Sequence, residues 1–209
     1  MISMTENKIL MAQARQTLDG RWGVAIGTYL VFMLITIGVQ FIPEIGKVIS
    51  FFIGGPMTLG LAIFSLSLSR KQKADLPQLF EGFKKFWIAF GTYILMGIFI
   101  FLWALLLLIP GIIAALSYSQ TFYIISENDS ISPLDAITKS KEIMRGNKWK
   151  FFLLGLRFFG WILLSILTLG IGFLWIGPYM MISFAKFYDD VKEKEPKEET
   201  LNNENTVAV

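Results

Sequence analysis

The side chains that carry most enzyme chemistry are scarce in this chain. It contains no histidine and no cysteine, which excludes thiolate nucleophiles, disulfides, Cys/His zinc sites and histidine acid–base pairs. Asp129, Asp135 and Glu142 are close in sequence but lack the spacing of a metal-binding loop. We therefore predict no catalytic, cofactor-binding or metal-binding residues, and we expect that the protein is not an enzyme.

Arg157 is the one ionisable residue well inside an apolar stretch, six residues past Phe151. A charge in such a position marks a functional site by default. At ~1.5 Å per residue, however, it lies only ~9 Å into a helix, so its guanidinium can extend back to the lipid headgroups. We favour this structural interpretation, and contact with a lipid phosphate or a substrate is the alternative.

The most polar part of any apolar stretch is a run of five residues after Leu116. Its hydroxyl and amide groups could line a cavity or a groove for lipid. Serine and threonine are also common where membrane helices pack closely and hydrogen-bond to one another. We favour helix packing for this run, which consists of Ser117, Tyr118, Ser119, Gln120 and Thr121.

The composition indicates that a membrane-embedded fold positions these residues. Hydrophobic residues make up 54% of the 209 residues and charged residues 17%, with a mean hydropathy of +0.58. Charged residues approach about a quarter of a soluble domain, and a spanning helix needs roughly 20 apolar residues. We predict an all-α, polytopic membrane protein with six transmembrane helices in three hairpins. The predicted spans are residues 24–42, 48–69, 86–109, 111–126, 151–169 and 173–188.

Glycine and proline predict the breaks in these spans. Pro110-Gly111 is expected to form the turn of the second hairpin or a kink, and Gly170–Gly172 is expected to divide the third hairpin into its two spans. Gly54–Pro56 is expected to lie inside a helix, where small residues favour close packing over a hinge. The tail 189–209 has no aromatic residue and 7 acidic against 3 basic residues. We predict that this cytoplasmic tail is disordered.

Lysine and arginine are distributed asymmetrically among the predicted loops. Of the 19, 17 lie on the side of both termini, Lys47 lies on the other side, and Arg157 lies within a span. Because cytoplasmic loops are rich in these residues, both termini are predicted to be cytoplasmic. The pI of about 9.0 is accordingly a sign of orientation, and we expect no nucleic-acid partner.

A threefold internal repeat is indicated by aromatic residues that follow basic or polar segments. Trp22, Trp87 and Trp149 recur at intervals of 65 and 62 residues, each at the start of a predicted hairpin. Tryptophan is common at membrane interfaces, so the interval is more informative than the residue type. The pattern predicts three related units.

The polar segment before each hairpin is predicted to be an amphipathic helix on the cytoplasmic side. Leu10, Ala14 and Leu18 lie at steps of four in the first segment. Ser132 is a predicted N-cap of the third, followed by proline, and Gly146 is its predicted stop. The second segment has one apolar face, formed by Leu76, Leu79, Phe80, Phe83 and Trp87.

Several short motifs together resemble a known bacterial family. They are residues 12–23 (AQARQTLDGRWG), Gly55–Leu61, Leu79–Phe83, Ile109–Ile113, Leu116–Ser119, Ala136–Gly146, Gly160-Trp161, Leu169–Trp175 and Pro178-Tyr179. In combination they are similar to the integral membrane family called domain of unknown function 975. The resemblance implies a multi-span protein of the bacterial cytoplasmic membrane, typical of Gram-positive organisms. It also implies a layout similar to the membrane portion of some glycerophosphodiester phosphodiesterases. The resemblance implies no activity and no catalytic residues for this chain.

Three functions are compatible with these features. We favour a non-enzymatic scaffold or lipid-contacting accessory protein, because the side chains that catalysis needs are missing. The alternative is a permease or channel-like transporter of a neutral or anionic solute or lipid, with Arg157 and Ser117–Thr121 along its path. No acidic residue falls within a predicted span, which argues against coupling to protons or sodium. An intramembrane enzyme acting on lipid ranks last. The expected partners are membrane lipids, including anionic ones, and a second copy or another membrane protein.

Overall fold

The computed structural model describes residues 5–193, apart from the side chain of Leu106, and this part of the chain is built of helices and short loops. The all-helical fold class is therefore confirmed for the described residues. Two 3-10 segments, Val39–Phe41 and Leu76–Lys85, precede the third and fourth α-helices. The α-helices are α1 Asn7–Leu18, α2 Trp22–Gly38, α3 Ile45–Ser69, α4 Phe86–Leu106, α5 Leu108–Tyr118, α6 Thr121–Glu127, α7 Pro133–Ile143, α8 Lys148–Leu167 and α9 Phe173–Lys192.

Within residues 5–193, five helical segments are long and apolar enough to cross a membrane. Helix α9 is 20 residues long but is not among them, and Lys186, Asp189, Asp190 and Lys192 lie near its C-terminus. The sixth span therefore stays a prediction. The five segments are Trp22–Phe41, Ile45–Ser69, Leu76–Leu105, Leu108–Glu127 and Lys148–Leu167.

The order of elements repeats three times as a short segment followed by two long helical stretches. The units are α1-α2-α3, the 3-10 segment Leu76–Lys85 with α4 and α5-α6, and α7-α8-α9. Trp22 is the first residue of α2, while Trp87 and Trp149 are the second residues of α4 and α8. Each tryptophan thus lies within the first two residues of the first long helix of its unit, as the repeat predicts.

The three units pack head to tail in a closed cycle. The 3-10 segment of the second unit packs on α3 of the first, and α7 of the third packs on α5 and α6 of the second. Helix α1 of the first unit packs on α9 of the third. The cycle is held by hydrogen bonds, including one of 3.1 Å from the Tyr179 hydroxyl to the Met11 carbonyl.

The second long stretch of each unit lies toward the centre of the bundle. Helix α3 contacts both α6 and α9. Of the residues in its most apolar stretch of 18, 44% are buried, against 11% in the corresponding stretch that contains α2. The outer helices α2, α4 and α8 expose large apolar side chains, among them Leu34, Phe101 and Leu167. In a bilayer these side chains would contact lipid chains.

Glycines permit the close approach of the 3-10 segment to α3. A Cβ atom on Gly60 would meet the backbone carbonyl of Leu79, and one on Gly82 would meet that of Pro56. A Cβ atom on Gly55 would lie 2.5 Å from the carbonyl oxygen of Ala89 in α4. Helix α3 continues through Pro56 from Ile45 to Ser69. The small residues of this helix therefore serve packing, which was the favoured interpretation.

The turn between α4 and α5 lies at Leu107, three residues before the predicted turn at Pro110-Gly111. Leu107 is extended, with φ −163° and ψ 146°, and changes the direction of the chain. Pro110 lies in the first turn of α5, where a missing N–H costs no helical hydrogen bond. A Cβ atom on Gly111 would lie 2.8 Å from that of Ala104. The close contact between α4 and α5, and not the turn, therefore explains why position 111 is a glycine.

The segment before α4 is also different from the predicted amphipathic α-helix. Leu76–Lys85 forms a 3-10 helix, in which residues three apart lie directly above one another. Leu79 and Gly82 share the buried face against α3. The other residues of the predicted apolar face are between 37% and 78% exposed: Leu76, Phe80, Phe83 and Trp87.

The first and third short segments match their predicted helices. Leu10, Ala14 and Leu18 are at most 1% exposed. The Ser132 hydroxyl oxygen accepts a hydrogen bond of 3.2 Å from the backbone N–H of Asp135 at the start of α7. Gly146, beyond the end of α7, has a φ of +80°.

At the other end of the chain, α9 extends four residues past the predicted boundary at 188, and the predicted tail residues 194–209 lie outside the described residues.

Candidate functional site

The three central helices end together, and charged side chains connect their C-termini. Arg70 follows the last residue of α3, Glu127 is the last residue of α6, and Asp189 lies in the last turn of α9. The Arg70 guanidinium lies 2.7 Å from the Glu127 carboxylate and 2.6 Å from that of Asp189. One guanidinium therefore links the ends of two other helices to its own. We call this end of the bundle the polar end.

Two further donors surround Glu127. The Lys192 ammonium donates to Glu127 Oε2 over 2.7 Å, and the Tyr188 hydroxyl donates to the same oxygen. Asp189 also accepts a hydrogen bond of 3.2 Å from the Ser69 hydroxyl. We call the charged group Arg70, Glu127, Asp189 and Lys192 the ion-pair cluster.

The cations at the polar end match the electrostatics of helix termini. The carbonyl groups at a helix C-terminus carry a partial negative charge. Lys186 donates to the Ser69 carbonyl at the end of α3, and Lys85 donates to the Ile125 carbonyl near the end of α6 over 2.8 Å. Burial disfavours the charged form of Arg70, but hydrogen bonds to Asp189 and Glu127 outweigh burial and raise its pKa above the ordinary value. Arg70 is therefore a permanent cation that ties these helix ends together.

A second carboxylate joins the beginning of the described chain to the end of α9. Asp190, whose side chain is 7% exposed, lies 2.7 Å from the Lys150 ammonium of α8. It also accepts a hydrogen bond of 2.6 Å from the Thr5 hydroxyl. Thr5 and the C-terminal turn of α9 therefore lie at the same end of the bundle. Among residues 5–193 there is no cluster of three or more side chains suited to holding a metal ion.

The loop after α6 is fixed by one further ion pair. The Lys85 ammonium lies 2.6 Å from the carboxylate of Asp129. The hydrogen bond from Lys85, together with its charge, holds the pKa of the Asp129 carboxyl below its usual range. Lys85 thereby connects the 3-10 segment to both the end of α6 and the loop that follows.

A pocket of about 160 Å³ opens beside the ion-pair cluster, between α6, α7 and α9. Lys139 reaches it from α7, and makes no ion pair or side-chain hydrogen bond among the described residues. The pocket combines charged and amide groups with two buried isoleucines. Its lining consists of Ile124, Glu127, Asn128, Lys139, Ile143, Tyr188 and Lys192.

Arg157 lies apart from the ion-pair cluster and from the pocket. It is exposed on α8, and within residues 5–193 it forms no side-chain hydrogen bond or ion pair. Phe158, the next residue, is fully buried, so Arg157 lies on the outward side of this helix. Its contact with lipid or solute stays a prediction.

The run Ser117–Thr121 forms the break between α5 and α6. Ser117, Tyr118, Gln120 and Thr121 are buried, and Ser119 is partly buried. The Ser140 hydroxyl of α7 donates to the Ser117 carbonyl over 2.8 Å and accepts from the Gln120 backbone N–H over 3.2 Å. The backbone of this run therefore hydrogen-bonds to α7, whereas the hydroxyls of Ser117, Ser119 and Thr121 donate to carbonyls three or four residues earlier in the chain. A lipid or solute contact in it stays a prediction.

The ion-pair cluster is the feature that sequence reasoning missed. Glu127 lies just past the predicted span 111–126, and Asp189 is the first residue of the predicted tail. A signal was present in the repeat, since Glu127 follows Trp87 by 40 residues and Asp189 follows Trp149 by the same interval. Equivalent helix ends of the second and third units therefore both carry a carboxylate.

The chain matches one family model over nearly all of the described residues. The family is described as protein of unknown function (DUF975), and the match covers residues 4–117 and 104–195. The chain belongs to this family. The matched residues include the ion-pair cluster, the pocket and Arg157, and membership confirms the resemblance inferred from the short motifs. No curated protein and no solved structure matches the chain.

Proposed function

We propose that this DUF975 member is a non-enzymatic scaffold or lipid-contacting accessory protein of the bacterial cytoplasmic membrane. The observation that carries the proposal is the separation of its charges from its apolar surface. Charged groups gather at the polar end and pair with one another, as Arg70 does with Glu127 and Asp189. The outer helices expose a broad apolar surface to the bilayer.

The proposed orientation places the polar end and both termini in the cytoplasm. The distribution of Lys and Arg supports it. The hydrogen bond between Thr5 and Asp190 independently supports a common side for the two ends, because it holds the start of α1 and the end of α9 together. Five crossings would place the two ends on opposite sides of the membrane. We therefore infer that α9 is the sixth span, with its last turn at the headgroups.

Arg157 supports the lipid-contacting part of the proposal. It faces outward on a helix whose neighbouring exposed side chains, Leu156 and Phe159, are apolar. Side chains tilt toward the N-terminus of their helix, and α8 begins at the polar end, where Lys150 pairs with Asp190. The Arg157 guanidinium would then reach the inner headgroups, where a lipid phosphate provides the anion it lacks.

Three buried hydroxyls of the central helices favour a scaffold over the alternative of a permease. Ser65, Thr121 and Ser183 are fully buried in the three central helices. Ser65 and Ser183 donate to carbonyls of their own helices over 2.9 and 2.8 Å, and Thr121 donates to the carbonyl of Tyr118, the last residue of α5, over 2.7 Å. Their donors are consequently committed to the backbone, whereas a solute path would need polar groups free to replace water.

The test is native mass spectrometry of the protein extracted gently from membranes that contain phosphatidylglycerol. We expect an anionic lipid retained at fixed stoichiometry, and its loss in Arg157→Ala. Arg145→Ala is the matched control, because Arg145 is exposed in the loop after α7. Arg157→Ala should leave folding unchanged, since the side chain makes no ion pair among the described residues.

Two results would contradict the proposal. Equal lipid retention by the wild type and Arg157→Ala would remove the lipid contact assigned to Arg157. Solute flux through proteoliposomes containing the pure wild-type protein would instead support the permease.

A further inference from the structure

The pocket beside the ion-pair cluster has the size and position of a ligand site. Its volume of about 160 Å³ is more than ten times what one water molecule requires. Ile124 and Ile143 are 4% and 6% exposed and form an ordered apolar part of its lining. Lys139 and Lys192, from α7 and α9, supply its ammonium groups.

Both oxygens of the one carboxylate that lines the pocket already accept from donors of the protein. Glu127 Oε1 accepts from Arg70 over 2.7 Å, and Oε2 accepts from Lys192 and Tyr188. The single hydroxyl proton of Tyr188 is used in that bond. The charge of Glu127 is thus already balanced by the cations Arg70 and Lys192 of the protein.

Three side-chain donors of the pocket retain unused protons. Asn128 Oδ1 accepts from the backbone N–H and the hydroxyl of Ser130, over 3.2 and 3.3 Å, whereas its Nδ2 has no partner among the described residues. Lys192 uses one of its three protons on Glu127, and Lys139 has no side-chain partner within residues 5–193. These donors suit an acceptor-rich ligand.

The charge around the pocket has the matching sign. Two cations, Lys139 and Lys192, line the pocket with one carboxylate, Glu127, and the paired Arg70 and Asp189 add no net charge. A compact anion with several oxygen acceptors would add the missing negative charge and accept from both lysines and from Asn128. We propose that this pocket binds a phosphate group, carried either by a lipid headgroup or by a soluble phosphate.

This inference goes beyond the proposed function and does not depend on it, because a scaffold and a permease could each contain such a site. Arg157 lines no part of the pocket, so Arg157→Ala should remove only the lipid bound at Arg157 and leave phosphate binding in the pocket unchanged, whereas Lys139→Gln should do the reverse. The two proposals can therefore fail separately.

The experiment measures two probes against the full chain. Inorganic phosphate is titrated by calorimetry into the protein in phosphatidylcholine nanodiscs, which tests a soluble source. Retention of phosphatidylglycerol is measured by native mass spectrometry from nanodiscs of equal phosphatidylcholine and phosphatidylglycerol, which tests a headgroup source. Binding of either probe is expected, and the probe that binds identifies the source.

Two variants test whether the pocket is responsible. Lys139→Gln removes a charge-assisted donor and should weaken binding about tenfold. Asn128→Asp keeps the acceptor for Ser130 but replaces the free donor with a negative charge, and should weaken binding by at least as much. Lys141→Gln is the matched control, because Lys141 is also exposed on α7 but does not line the pocket.

The proposal requires both pocket variants to weaken the probe that binds. It is overturned if neither probe binds the wild type, or if either pocket variant retains full affinity. An equal loss in Lys141→Gln also overturns it, because that result would indicate attraction to the basic surface as a whole.

Discussion

Arg70 is the residue on which the packing of the three central helix ends depends most directly. Its guanidinium contacts Glu127 and Asp189, whose side chains are only 20% and 21% exposed. By contrast, Lys73 and Asp75 form an ion pair at 3.1 Å with side chains 88% and 50% exposed. The first pair should stabilise the fold, whereas an exposed pair contributes little.

We predict that Arg70→Ala lowers the stability of the folded protein by about 1 to 3 kcal/mol. The change leaves two partly buried carboxylates close together without their shared cation. The measurement is reversible unfolding in mixed micelles, followed by tryptophan fluorescence. Lys73→Ala is the control and should change stability by less than about 0.5 kcal/mol.

A double-mutant cycle with Glu127→Gln separates the ion pair from other effects of the substitutions. The loss in the double variant should be smaller than the sum of the two single losses. Additive losses would show that Arg70 and Glu127 do not stabilise each other, and would refute the structural role assigned to the ion-pair cluster.

At the scale of elements, the close contact between α3 and the 3-10 segment depends on the absence of side chains at two glycines. Gly60 and Gly82 face each other's segments, and a Cβ atom on either would meet backbone atoms that cannot rotate away. Gly97 of α4 is different, since nothing lies within 4 Å of the position of its Cβ atom.

We predict that Gly60→Ala destabilises the protein by about 1 to 3 kcal/mol through overpacking. Gly97→Ala should be neutral or stabilise it by up to about 1 kcal/mol, because alanine favours the helix. Thermal unfolding monitored by the helical circular dichroism signal compares the two variants. Equal behaviour would contradict the close approach of α3 and the 3-10 segment.

At the scale of the whole molecule, residues 5–193 form a closed cycle of three units, and this closure determines where the described ends lie. Helix α1 packs on α9, and Thr5 hydrogen-bonds to Asp190. If Leu169, which is 95% exposed between α8 and α9, lies on the opposite side of the membrane from the polar end, α9 must cross the bilayer.

The absence of cysteine makes single-cysteine labelling free of background. We predict that Leu169→Cys reacts with a membrane-impermeant maleimide added outside intact cells. Glu193→Cys, just after α9, should react only after the membrane is permeabilised. Labelling of Glu193→Cys in intact cells would refute the six-span orientation, and Lys47→Cys serves as a control for outside labelling.

Features that depend on neighbouring residues could be predicted from the sequence. The buried face of α1 follows from Leu10, Ala14 and Leu18 at one helical spacing, and the start of α7 follows from the Ser132 cap. The three tryptophan-marked units, and helices long and apolar enough to cross a membrane, follow from spacing and composition in the same way. Local periodicity, capping and apolar length act within a few turns of helix, so an isolated sequence contains this information.

Tertiary structure decided the features that depend on distant segments. Arg70, Glu127 and Asp189 meet only because three helices end at one level, although 57 and 62 residues separate them along the chain. The turn at Leu107 and the 3-10 form of Leu76–Lys85 arise where one segment packs closely on another. The free energy of such contacts depends on which surfaces meet, and neither residue spacing nor helix propensity specifies that choice.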